Sequence, residues 1–152
     1  MTSLSDAFPD HERSRFAADS LRIGAVIKAF VRDTTPPKEK RLIIIGESLQ
    51  DQTVASIYIN TRLNERVFPT PYLQSLNPRF EAAGRPFLDH DSHIDCTELQ
   101  IHHKTHLVDL VREDPTCLLG ELADNDLQHL VQLLRSANTI KPSTKRKYGL
   151  MS

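Results

Sequence analysis

The sequence is short of cysteine, of long apolar runs and of any surplus of charge, and each shortage removes a class of function. Its two cysteines, Cys96 and Cys117, lack the paired short spacings of a zinc site. Reduced thiols are expected, and with them an intracellular, cytoplasmic chain. No stretch has the length of a membrane span or the charged-then-apolar start of a signal peptide, so no membrane partner is expected. Lys and Arg total 19 against 20 Asp and Glu, for a formal net charge of -1. There is no global basic field, so a nucleic-acid partner has to be read from local patches. The 152 residues suit one domain with a real core.

What is present is a run of short apolar segments separated by polar turns. Residues 1–20 are polar and mixed in charge, an arm that is flexible or partly helical around 11–18. LRIGAVIKAFVRD then alternates Ile23, Ala25, Ile27 and Ala29 on one side, a strand starting at the Gly24 turn. TTPPKEK, with Pro36 and Pro37, reads as an exposed stiffened loop. RLIIIGES is a continuous β-branched run, expected as a strand covered on both faces, and TVASIYINT alternates as a third strand running out at Thr61 and Arg62. Residues 63–86 contain Pro69, Pro71, Pro78 and Pro86 and read as a long irregular excursion with at most one helical turn around 72–76. Residues 105–112 have helical spacing, with Thr105 as N-cap and Pro115 as stop. A short strand ends at Gly120, and Asp124 opens a helix whose stripe is Leu127, Leu130, Val131 and Leu134. Residues 141–152, with KPSTKRK, read as a basic disordered tail.

The densest chemistry lies in FLDHDSHIDCTEL, residues 87–99. Read as a strand, it puts Phe87, Asp89, Asp91, His93 and Asp95 on one face and Leu88, His90, Ser92, Ile94 and Cys96 on the other, more buried one. Three carboxylates on one strand face repel unless cations or water intervene, so that face is either wet or a site. The aspartates offer oxygen donors of the kind magnesium or calcium prefers, but one strand is a poor chelator beyond two ligands. The spacing of His90, His93, His102, His103 and His106 fits no helical or hairpin ligand pair. No metal and no cofactor is expected.

The order of these elements resembles the MazF/PemK/Kid family of toxin ribonucleases. RIGAVIKAF resembles the family's opening strand, KRLIIIG its second apolar strand, and YINTR the strand whose terminal hydroxyl residues lie in the active site. FLDHDSHIDCTEL resembles the later acidic strand, and CLLGELADNDLQHLVQLL the closing Gly-x-Leu and helix, so the likeness spans about residues 21–137. It implies a mainly β fold with α (α+β), a small SH3-like β-barrel over residues 21–140 with a C-terminal amphipathic helix. It also implies metal-free cleavage of single-stranded RNA in a groove, a homodimer and an antitoxin partner. The chemistry needs a base for the 2′-hydroxyl, an acid for the leaving oxygen and a cation for the phosphate.

Thr61 and Asp89 carry over from the family's pattern. Arg62 stands where the family has a small hydroxyl residue, and Phe87 stands where it has an arginine two residues before the aspartate. The missing cation would then come from Arg85, Arg62 or Arg41, and His93 is the local acid or base. The expected catalytic set is Thr61, Arg62, Arg85, Asp89 and His93. A competing expectation is a catalytically inactive barrel that binds a protein or nucleic acid. Phe87 favours it, as do Phe68, Tyr72 and Phe80 in the long excursion. In a third, a partner's extended segment fills the same groove.

Overall fold

Three runs rich in β-branched and aliphatic residues form β1 (Ala25–Val31), β2 (Lys38–Ser48) and β3 (Thr53–Asn60) in the computed structural model, which describes residues 10–31 and 38–151. The strands pair antiparallel in sequence order, and β2 pairs with both neighbours. Gly24 adopts a left-handed φ of +96° and donates from its N–H to the Ile44 carbonyl at 2.7 Å, which turns the chain into β1 as the glycine predicts. Further along come β4 (Arg79–Phe80), β5 (Ser92–Ile94), β6 (Gln100–His103) and β7 (Leu118–Glu121). The order is β4-β5-β3-β2-β1-β7, and β6 shares the outer edge of β3 with β5. The result is a curled antiparallel half-barrel in a mixed α/β architecture.

Five helices complete the described residues: α1 (Asp10–Ser20), α2 (Pro71–Ser75), α3 (Lys104–Glu113), α4 (Asp124–Ser136) and α5 (Pro142–Lys147). None is long and apolar enough to cross a membrane. Strand alternation sends side chains to two cores. Val26, Ile43, Ile45, Ile57 and Ile59 pack with Leu130 and Leu134 of α4, while Ile27, Leu42, Ile44 and Val54 pack with Ala17 of α1 and with Leu107 and Val111 of α3. Leu42, Ile43, Ile44 and Ile45 are each at most 2% exposed, so β2 is covered on both faces as its continuous apolar run predicts. At about 1.5–3 kcal/mol for each buried side chain, that run outweighs the surface ion pairs, worth about 0–1 kcal/mol each.

Three expectations change. Residues 1–9 of the arm and 32–37 of the proline loop lie outside the described residues; the helix expected around 11–18 runs over Asp10–Ser20, whereas Lys38–Lys40, expected in the loop, already belong to β2. Arg13 Nη2 of α1 donates to the Arg112 carbonyl of α3 at 3.0 Å, and Ala17 and Leu21 are buried.

The second change concerns residues 87–96, of which only Ser92–Ile94 form a strand. Residues 85–91 turn instead, with Leu88 N–H donating to the Arg85 carbonyl at 2.9 Å. Phe87 is buried at 5% exposure rather than sharing a wet face with the aspartates.

The third change is the tail. The segment read as basic and disordered carries α5, and its Tyr148 and Leu150 enter the larger core. Lys145 is 5% exposed and donates to the Arg135 and Ala137 carbonyls at 2.7 Å each. Its charge thereby satisfies open carbonyls at the C-terminal end of α4. The Tyr148 and Thr53 hydroxyls hydrogen-bond at 2.9 Å, and Arg135 Nε donates to the Leu150 carbonyl at 2.5 Å. Gly46 makes room for this closure: a Cβ built there would lie 2.9 Å from Tyr148 Cβ and closer still to the Tyr148 carbonyl. The helix starts also shift slightly, since α3 begins before Thr105 and α4 follows Ala123, with no side-chain cap at either end.

Candidate functional site

The cross-strand register places Lys28 opposite Arg41 and Arg41 opposite Ile59, so β1, β2 and β3 present these residues in one row. A cavity of about 720 Å³ opens there, lined from β2 by Lys38–Arg41, from the end of β3 by Asn60, Thr61 and Arg62, and from the turn before β5 by Asp89 and His90. Its charged lining is Lys28, Lys38, Lys40, Arg41 and Arg62 against Glu39, Asp89 and Asp95. Five cations against three carboxylates make a local positive basin in a chain whose net charge is -1.

Consecutive residues of the turn reach β2 and the residue that follows β3. Arg41 Nη2 donates to Asp89 Oδ2 at 2.5 Å, and the guanidinium holds the Asp89 carboxyl below its ordinary range. Next to it, His90 Nε2 and Thr61 Oγ1 hydrogen-bond at 3.0 Å. Lys28 pairs with Glu39 at 3.2 Å. Lys40 donates to Asn60 Oδ1 at 2.5 Å and lies over the Tyr58 ring at 5.4 Å. Burial lowers its pKa first, Lys38 adds to that, and Asp95 opposes it. Lys38 and Arg62 have no ion-pair partner among the described residues.

Of the expected set, the fold brings Thr61, Arg62 and Asp89 together and leaves out Arg85 and His93. Arg85 Nε and Nη2 each donate to a carboxylate oxygen of Asp126 on α4 at 2.9 Å, and its guanidinium lies 4.5 Å from the centre of the Phe80 ring. The Asp126 hydrogen bond raises its pKa further, so the residue is a clasp between the long excursion and α4. His93, half-buried, turns Nδ1 towards the Asn77 carbonyl at 3.1 Å.

The other two aspartates also have separate partners. Asp91 accepts from Arg79 Nη2 at 2.6 Å and from the Ala82 N–H at 2.8 Å. Asp95 Oδ1 accepts from the Thr97 N–H at 2.9 Å and the Thr97 hydroxyl at 2.6 Å, the local turn brace its position suggests. Among the described residues no group of three or more His, Cys, Asp or Glu is placed to hold a metal.

Strand alternation misses His90 because the turn before β5 breaks the period of two. Lys38 and Lys40 are missed because the charged run KEKR reads as loop when it is the first part of β2. The signal that pointed to Arg41 is the resemblance itself, in which Phe87 stands where the family has an arginine. Comparison with known protein families, with curated proteins and with solved structures finds no match for the chain.

Proposed function

We propose that this chain is a metal-independent endoribonuclease of the MazF/PemK kind, an SH3-like barrel that cleaves single-stranded RNA in the cavity between β2, the end of β3 and the turn before β5. The observation that carries the reading is the convergence of Thr61, Arg62 and Asp89 with Arg41 and His90 in one positively lined cavity. Arg41 supplies the cation that Phe87 does not, since Phe87 is a core residue beside Gly120. An imidazole suits proton transfer near neutral pH, and His90 stands against the Thr61 hydroxyl. A carboxylate held ionised by a guanidinium is a weak proton acceptor, so His90 rather than Asp89 takes the 2′-hydroxyl proton. The 2′-oxygen then attacks the adjacent phosphorus, the P–O5′ bond breaks, and the departing 5′-oxygen takes a proton from solvent water, giving a cyclic phosphate and a free 5′-hydroxyl. Arg41 and Arg62 stabilise the charge that gathers on the phosphoryl oxygens.

The test is incubation of the purified protein with a defined single-stranded RNA in EDTA. Cleavage is expected in the native chain and is expected to fall by about two orders of magnitude or more in His90→Ala and in Arg41→Ala. Unchanged cleavage in both variants would remove these roles. The burial of Phe87 also favours a second reading, a barrel that binds RNA without cutting it. Its outcome is intact RNA, still retained by the folded protein.

A further inference from the structure

Two of the arginine–aspartate pairs of this fold are built differently. Arg85 meets Asp126 with two parallel hydrogen bonds, and the side chains are 25% and 17% exposed. Arg41 meets Asp89 through Nη2 alone, while its Nε is buried and has no hydrogen-bond partner. The edge of the guanidinium that carries Nε and Nη2 is the one that grips a planar or tetrahedral anion with two bonds. On Arg41 that edge is half used.

The exposures are unequal as well. Arg41 is 24% exposed on a strand paired on both sides, whereas Asp89 is 72% exposed on a turn. Releasing the Asp89 carboxylate to water costs little, because most of it is already hydrated. The unpaired Arg41 Nε keeps a desolvation cost that only a better-placed acceptor removes. Lys38, Thr61 and Arg62 line the same cavity, and the two cations, without ion-pair partners among the described residues, are placed for the remaining charge of such an acceptor.

We infer that Arg41 is a phosphate seat and that Asp89 is its displaceable internal occupant, which swings out when a phosphodiester of a single strand enters and takes the Nε and Nη2 donors. This deepens the reading of the cavity as an RNA groove and rests on it for the identity of the ligand. Asp89 is then a competitor for the seat, and its removal strengthens binding.

Binding is read by fluorescence anisotropy with a labelled 2′-O-methyl RNA 10-mer, which cannot be cut, so the result does not depend on cleavage. Asp89→Asn is expected to tighten binding about fivefold to tenfold and Arg41→Gln to weaken it by a similar factor. In an Arg41→Gln background the gain from Asp89→Asn is expected to vanish, because the two groups act on one seat. A gain that persists there means that Asp89 acts only as a general negative charge, and unchanged or weaker binding in Asp89→Asn means that the carboxylate helps to hold the ligand. Either result overturns the proposal.

A second measurement uses the native chain, following the Arg41 Nε–H resonance by NMR during addition of inorganic phosphate and, separately, of the 10-mer. A shift with both supports the seat and the RNA groove. A shift with phosphate alone keeps the seat and discards RNA as its ligand, and no shift with either discards the seat.

Discussion

Arg85 and Arg41 carry the same group to opposite ends. Arg85 lies in FEAAGRPF, close in sequence to the acidic segment, and proximity makes it look like a replacement cation. Its two-point bond to Asp126 and its stacking on Phe80 commit it to structure. Arg85→Ala is therefore expected to lower stability by about 1–2 kcal/mol in urea unfolding and, on the proposed reading of the cavity, to leave RNA cleavage at the native rate. Loss of cleavage at unchanged stability would return Arg85 to the site.

The thiols allow an independent check at the same scale. Burial is the main cause that pushes Cys96 up to about 12 and Cys117 up to about 11, from an ordinary 9.0, and Asp95 and Asp114 add to it. At pH 8 alkylation is then expected to slow on the order of a thousandfold at Cys96 and a hundredfold at Cys117 relative to the unfolded chain, as peptide mapping after iodoacetamide would read. The fold favours the neutral thiol, so this contribution to stability is intact below pH 9.0 and declines as the pH rises towards 11 and 12.

At the scale of elements, the irregular pieces decide where the charges are placed. A straight strand through 87–96 would have set three aspartates in a row. The turn that replaces most of it sends Asp89 to Arg41, Asp91 to Arg79 and Asp95 to Thr97, so each carboxylate has its own partner and no shared acidic face forms. On β2 the register with β3 shifts between Ile44 and Gly46, and Tyr148 closes over that glycine. Gly46→Ala is expected to cost about 2–3 kcal/mol by driving a methyl into the Tyr148 backbone, and to make residues 141–151 sensitive to limited proteolysis. A variant that unfolds at the native urea midpoint would show that the C-terminal segment yields at no cost.

For the whole molecule, two cores share one curled sheet, and the last residues seal the larger one. A chain ending at residue 140 loses Tyr148 and Leu150 from that core and leaves the C-terminal carbonyls of α4 without Lys145. Its expected behaviour is a broad, weakly cooperative thermal transition with exposed apolar surface. Leu150→Ala alone is expected to cost about 2–4 kcal/mol. Native-like unfolding of the shortened chain would mean that the tail is dispensable after all. The same global arrangement explains how a chain of net charge -1 holds a positive cavity. Lys28, Arg41 and Arg62 are far apart in sequence and are neighbours only through the β1-β2-β3 ladder and the exit from β3.

Local periodicity was enough for β1, β2, β3, most of α3 and the apolar stripe of α4, because those choices depend on which side chains recur at two or at three and four residues. Thr61, Arg62 and Asp89 were singled out by the family resemblance rather than by periodicity, and the fold brings the three to one cavity. Three things were settled only in three dimensions: the partner of each charge, the turn at residues 85–91, and the burial of the C-terminal segment. A guanidinium, an ammonium or a carboxylate carries no periodic signal of its own. Whether Arg41 faces water or Asp89 depends on strands and turns that meet only after the sheet has curled.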